Sequence, residues 1–126
     1  MKVYISGPIT GTTDYMERFA EAQKYLESKG FDVVNPALVN SNLPKNTSYR
    51  EYMLMSLLML SMCDHIYMLR GYEKSAGARK ELVTALDLNI RILYEQTPAD
   101  TFPVMLSPAE IDYIKNDINS LFGVDL

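Results

Sequence analysis

Short β-prone runs alternate with helical patterns along most of this chain, and that alternation is the feature that most limits its fold. Each run is nearly continuous in apolar residues, which is typical of strands that are buried on both faces of a parallel sheet. Successive parallel strands need a right-handed crossover, which a helix usually supplies. The alternation therefore favours a parallel sheet covered by helices.

Glycine and proline mark the ends of the strands, and capping signatures mark the starts of the helices. Asp14 with Glu17, Ser48 with Glu51, and Ser107-Pro108 with Glu110 are such signatures. The predicted strands cover 2–6, 31–34, 65–69 and 91–94, and the predicted helices cover 14–30, 48–62, 76–88 and 107–121. We expect a polar loop over 37–46, near the site. This order predicts an α/β fold, a Rossmann- or flavodoxin-like doubly wound parallel sheet of four or more strands with flanking helices, in a single domain over 1–126.

The helix predicted over 48–62 is apolar around most of its circumference. A helix of this kind has to be buried on nearly every side. In a chain of 126 residues the core alone cannot easily cover so much apolar surface, so we expect a homo-oligomer. The Ala78, Leu82, Ala85 and Leu86 side chains should pack the next helix, 76–88, onto the sheet.

Composition limits the partners of the chain. The net charge of −4 argues against long nucleic acid, because binding to its phosphates requires clustered Lys and Arg. Cys63 is the single cysteine, which excludes an intrachain disulfide and a cysteine-based zinc site. The sequence contains no HExxH motif, Walker A motif or Asp-rich loop, so we expect neither a metal nor a cofactor. It also contains no long apolar segment and no signal-peptide pattern, so we expect no membrane partner and a cytoplasmic location.

The stretch 64–81 contains the candidate site, because it reads as a strand, a glycine-bounded loop and the start of a helix. In open α/β sheets, ligands bind in the crevice beyond the carboxyl ends of the strands, which is where this loop should lie. Glu81 shares a helical face with Gly77 and Ala78, which leave room above its carboxylate. The nearby N-terminus of this helix should favour the ionised form of the Glu81 side chain. An ordinary surface glutamate is the alternative interpretation.

Two tyrosines and an aspartate are further candidates. Tyr4 and Tyr72 fall at strand ends, where either ring could stack on a base or simply pack in the core. Asp64 opens an apolar strand, at what we take to be the same sheet end as Glu81, and a carboxylate placed there needs hydrogen-bond partners or a raised pKa. A turn residue is the alternative for Asp64.

Three segments together resemble the nucleoside 2-deoxyribosyltransferase superfamily, and in particular a small bacterial and phage branch. They are Val3-Tyr4-Ile5-Ser6-Gly7-Pro8-Ile9-Thr10-Gly11, Cys63–Leu69 and Gly71–Glu81. The resemblance covers residues 2–94 and leaves out the last helix. It implies that Glu81 attacks the anomeric carbon of a nucleoside and forms a glycosyl-enzyme, as in a retaining glycosidase. It also implies that Asp64 binds or protonates the base, and that Tyr4, Gly7 and Pro8 line the pocket.

Two departures bear on the substrate. The transferases carry an aspartate six residues before the nucleophile, whereas this chain has Ser75. Related nucleoside 5′-monophosphate N-glycosidases have a serine there that contacts phosphate, and Gly77 beside a helix N-terminus suits an anion. Those hydrolases also use a serine and an arginine in the first loop, where this chain has Pro8 and Thr10. The residues that could replace the lost charge are Arg70, Lys74 and Arg79.

Three functions stay open on the sequence. The first is cleavage or transfer of the N-glycosidic bond of a nucleoside or nucleoside 5′-monophosphate. The second is a non-catalytic nucleotide-binding module that kept the pocket, and the third is a structural or interaction protein. The order given is our order of preference, because a scaffold has no evident use for both Asp64 and Glu81.

Overall fold

The computed structural model describes residues 1–95 and 106–123. Its sheet has four parallel strands in the order β2-β1-β3-β4. The strands are β1 (Lys2–Ser6), β2 (Asp32–Val34), β3 (His65–Met68) and β4 (Arg91–Tyr94). This is the strand order of flavodoxin-like sheets, whose ligands bind where the chain direction reverses, between β1 and β3. The predicted α/β fold is confirmed.

The described residues form five helices, of which four lie against the two faces of the sheet and the last packs on two of the others. They are α1 (Tyr15–Ser28), α2 (Pro36–Ser41), α3 (Tyr49–Ser61), α4 (Ala76–Asp87) and α5 (Pro108–Leu121), and a 3₁₀ helix over Tyr72–Lys74 precedes α4. On one face, Val3 and Ile5 pack against α1. On the other face, Tyr4 and Ile66 pack against α3 and α4. Each face thus has its own core, as expected of a doubly wound sheet.

Two predictions about local structure are wrong. Residues 36–41 form α2 instead of a loop, because the Asn35 side chain accepts the Ala37 N–H and Pro36 supplies the first helical residue. Asp14 precedes α1, but its side chain makes no capping hydrogen bond. Its ψ of 12° is not the extended conformation that directs a capping side chain back to the helix. The capping box of Ser48 with Glu51 is present as predicted.

Burial of the helices differs in part from the prediction. In α3, one face carries the buried residues Met53, Ser56, Leu57 and Leu60, while Leu58 is 66% exposed in the single chain. In α4, Ala78, Leu82 and Ala85 are buried as expected, but Leu86 is exposed. Leu86 lies in the last turn of α4 and is absent from both core clusters.

The single domain predicted over 1–126 includes residues 96–105 and 124–126, which lie outside the described part. None of the helices within 1–95 and 106–123 has the length and apolar character needed to cross a membrane.

Candidate active site

A cavity of about 600 Å³ opens beyond the carboxyl end of β1. Its size is that of a pocket for a small molecule. The loop Gly7–Thr10 forms one wall, and residues of α1, α2, α3 and the start of α4 form the others. Gly7 is required for this geometry, because a Cβ on Gly7 would lie 2.8 Å from Leu69 Cβ. Pro8 lines the cavity next to it.

Glu81 lies at this cavity, with its carboxylate held by β1. The Ser6 hydroxyl donates to Glu81 Oε1 at 2.8 Å, and the Tyr4 hydroxyl donates to Oε2. Glu81 is 7% exposed, and both donor residues are fully buried. It is therefore a fixed internal carboxylate, which excludes the interpretation as an ordinary surface glutamate.

Burial raises the pKa of Glu81 to about 7, although the hydrogen bonds from Tyr4 and Ser6 act to lower it. The expectation that the helix N-terminus keeps this carboxylate ionised is wrong for this reason. Glu81 is the sixth residue of α4, and the favourable field of a helix falls off beyond the first turn. Near neutral pH the side chain exists in both protonation states.

Tyr4 acts here as a hydrogen-bond donor. Burial, and after it the Glu81 carboxylate, raise the pKa of Tyr4 well above its ordinary value, so the phenol keeps its proton. The Ser56 side chain of α3 hydrogen bonds to the same hydroxyl. Because the Tyr4 ring is fully buried, it offers no open face on which a base could stack.

Ser75 and Gly77 line the cavity at the start of α4. The Ser75 side chain accepts the Ala78 N–H at 3.1 Å and thereby caps α4. A Cβ on Gly77 would lie 3.3 Å from Met53 Sδ. The absence of a side chain at Gly77 keeps open the space between α3 and α4, next to Glu81.

Two predicted site residues are located elsewhere. Asp64 lies at the amino-terminal edge of the sheet, where its Oδ2 accepts the Lys2 N–H at 2.9 Å. The prediction that Asp64 shares a sheet end with Glu81 is wrong, because Asp64 precedes β3 whereas Glu81 contacts Ser6 at the end of β1. Tyr72 is buried against Tyr94, with ring centroids 5.8 Å apart, and is not part of the cavity wall.

Of the three candidate cations, Lys74 lines the cavity. Arg70 pairs with Glu95 at 3.4 Å, and Arg79 of α4 lines a separate cavity that residues of α5 also line. Among the residues that the structure describes, no group of three or more His, Cys, Asp or Glu side chains could hold a metal ion.

Sequence reasoning missed several residues of the site. Ser6 and Ser56 are single polar residues within apolar runs, and that pattern could have identified them as buried partners. Tyr15, Tyr49, Tyr52 and Asn40 also line the cavity. They come from α1, α3 and α2, and only the packing of these helices brings them together.

A family model described as "Domain of unknown function (DUF4406)" matches residues 1–94. The chain belongs to this family. The match contains all four strands together with Tyr4, Ser6 and Glu81, whereas α5 lies outside it. A comparison with the curated proteins found no match.

Among solved structures, the chain is similar to a 2-deoxyribosyltransferase from the psychrotolerant bacterium Bacillus psychrosaccharolyticus. The two structures superpose with a TM-score of 0.65 at 15% sequence identity, and the match covers 82% of this chain and 77% of the other. At this identity the similarity shows the shared fold alone. The α/β architecture of this DUF4406 chain is thus also that of a deoxyribosyltransferase.

Proposed function

We propose that this protein cleaves or transfers the N-glycosidic bond of a nucleoside or nucleoside 5′-monophosphate, with Glu81 as the nucleophile. The observation that carries the proposal is the geometry of Glu81. Its carboxylate is buried, is held by Tyr4 and Ser6, and lies beside a cavity large enough for a nucleoside. The fold shared with a 2-deoxyribosyltransferase and the resemblance of residues 2–94 to that superfamily support the same chemistry.

The proposed reaction has two steps. An ionised Glu81 oxygen bonds to C1′ of the sugar while the C1′–N bond breaks, and the bonding electron pair leaves with the base, which takes up a proton. Water or a second base then bonds to C1′ while the C1′–O bond to Glu81 breaks, it gives up its proton to solvent, and Glu81 returns as the carboxylate. Hydrogen bonds from Tyr4 and Ser6 orient the carboxylate for attack.

A phosphorylated substrate is supported by the start of α4. Ser75 and Gly77 line the cavity there, and Lys74, just before the helix, lines it as well. A helix N-terminus and a lysine both favour a phosphate group. We therefore place a 5′-monophosphate ahead of a neutral nucleoside.

A non-catalytic nucleotide-binding module is the second candidate, and one observation favours it. Among the described residues that line the cavity, Glu81 is the single carboxylate, since Asp64 lies at the opposite edge of the sheet. The leaving base then lacks the acidic partner that the resemblance implied. A binding module needs no such partner.

Release of free base distinguishes the two candidates. The protein is incubated with a panel of ribo- and deoxyribonucleosides and their 5′-monophosphates, with and without a second base as acceptor, and the products are separated by chromatography. The enzyme proposal predicts base release that Glu81→Gln abolishes. Asp64→Asn is the matched carboxylate control and should keep the wild-type rate. Thermal stabilisation by a nucleotide without base release, unchanged in Glu81→Gln, would support the binding module instead.

A further inference from the structure

The last helix, α5, lies outside the family match but packs beside the residue that precedes Glu81. Lys80 of α4 is 7% exposed, which is unusual for a lysine. Its ammonium group lies 3.9 Å from Asp117 Oδ2 of α5 and 3.1 Å from the Tyr49 hydroxyl of α3. Three helices thus meet at one buried cation. The buried Ile114 anchors α5 at this place.

A buried ammonium group is costly unless it is paired and hydrogen bonded. For the ammonium group of Lys80, Asp117 supplies the opposite charge and the Tyr49 hydroxyl oxygen accepts a hydrogen bond. The same cost restrains the positions of the Asp117 and Tyr49 side chains, because moving either one away would leave the buried ammonium group without a partner. Both partners are half-exposed, so Lys80 is the buried member of the cluster, and of the two partners Tyr49 is the one that lines the cavity.

Tyr49 connects this cluster to the cavity. It is the first residue of α3, and it lines the cavity together with Tyr52, Met53 and Ser56 of the same helix. A tyrosine at the first turn of a helix has few neighbours within its own helix to fix its rotamer. The contact with Lys80 therefore decides where the phenol ring lies at the rim.

We infer that Asp117 and Lys80 are positioning residues that fix Tyr49 as a specificity-determining wall of the substrate cavity. This inference rests on the proposed function, because it assigns a role in binding the same nucleoside or nucleotide. Tyr49 lies at the rim and Glu81 at the buried end of the cavity. Disturbing the cluster should therefore weaken substrate binding and leave the chemical step intact.

Kinetics of three variants test the inference. Lys80→Met, Tyr49→Phe and Asp117→Asn should each raise KM about three- to tenfold, the effect of losing one hydrogen bond or ion pair, with kcat within about twofold of the wild type. The double variant with both Lys80→Met and Tyr49→Phe should raise KM no more than the single variant with the larger effect does, because both substitutions remove the same contact. An additive double variant, or an equal loss in kcat, would overturn the inference.

The ion pair between Lys115 of α5 and Asp87 of α4 provides the control. It joins the same two helices at 3.2 Å but does not involve Tyr49. Lys115→Met should therefore leave KM unchanged. If it raises KM as much as Lys80→Met does, general loosening of α5 explains the effect and the positioning role is wrong.

An NMR measurement separates this inference from the proposed function. In protein labelled with ¹³C at the tyrosine ring, the resonance of Tyr49, assigned through Tyr49→Phe, should shift in Lys80→Met and in Asp117→Asn and stay in place in Lys115→Met. If the wild type releases no base, the proposed function fails, and this comparison alone decides whether the cluster positions Tyr49. A Tyr49 resonance that is the same in the wild type and Lys80→Met would refute the positioning role whatever the activity.

Discussion

Glu81 combines two properties that oppose each other. Burial favours its protonated form, whereas the donated hydrogen bonds of Tyr4 and Ser6 favour the carboxylate. The resulting pKa of about 7 allows the ionised nucleophile to form near neutral pH. It also makes the folded state sensitive to pH, since the unfolded chain releases this proton near its ordinary pKa.

Replacing Glu81 by Gln should stabilise the protein above pH 7. Between the unfolded pKa of 4.5 and the folded pKa of about 7, the folded state holds a proton that the unfolded chain has lost. Wild-type stability due to this group is therefore fully present below pH 4.5 and is lost as the pH rises through 7. Glutamine resembles the protonated acid and avoids that loss. Urea denaturation should show the advantage of Glu81→Gln growing by about 3 kcal/mol from pH 4.5 to pH 8. A constant difference across this range would contradict the raised pKa.

Tyr4→Phe should reduce the rate of base release about 10- to 100-fold at neutral pH. The substitution removes a hydrogen bond to the charged form of Glu81, which is worth about 1.5–3 kcal/mol, and it raises the pKa of the carboxyl. The rise of kcat/KM with pH should accordingly move to higher pH. Tyr25→Phe is the matched control, because Tyr25 is an exposed tyrosine of α1 that does not line the cavity. A pH profile of Tyr4→Phe equal to that of the wild type would contradict the assigned contact.

At the scale of elements, the sequence predicted most of the fold because the signals there are local. The strand ends and the caps at Ser48 and Ser107 depend on residues a few positions apart. The two caps are present as expected, and the strand ends lie within one residue of the predicted bounds. The short helix α2 was missed because Asn35-Pro36 is also an ordinary turn signal. A helix of six residues is too short to show the helical spacing of apolar residues that would indicate a helix instead of a turn.

The site was harder to predict than the fold. Gly7, Ser75, Gly77 and Glu81 follow strands or open a helix, so topology places them at one edge. Asp64 was misplaced because it falls before its strand, at the opposite edge from Glu81. The contacts that Tyr4, Ser6 and Ser56 make depend on how α3 and α4 pack on β1. No spacing in the sequence encodes that packing.

The start of α4 allows a test of the phosphate preference. Ser75→Ala should cost about 1 kcal/mol of stability through the lost cap, and so should Ser48→Ala at the start of α3. If a 5′-phosphate binds at Ser75, only Ser75→Ala should also weaken binding of the monophosphate relative to the nucleoside, as measured by calorimetry. Equal loss for both ligands would argue for an unphosphorylated substrate.

On the scale of the whole molecule, the apolar surface of α3 predicts self-association. Leu58 of α3 and Met62, which directly follows that helix, are 66% and 57% exposed in the single chain, and apolar surface of this kind usually marks an interface. We expect a homo-oligomer in sedimentation experiments and its dissociation by Leu58→Glu. Leu38→Glu, on α2, is the control for an added surface charge and should not change the mass. A wild-type monomer at working concentration would contradict this prediction.

The most direct test of the account is to look for the covalent intermediate on Glu81. Wild-type protein is mixed with the substrate that releases base fastest, quenched in acid, and examined by intact-mass and peptide mass spectrometry. We predict that the mass increases by one glycosyl group, that the group is located on the peptide containing Glu81, and that Glu81→Gln shows no adduct. Base release by Glu81→Gln at the wild-type rate, without any adduct in either protein, would contradict the nucleophilic role of Glu81.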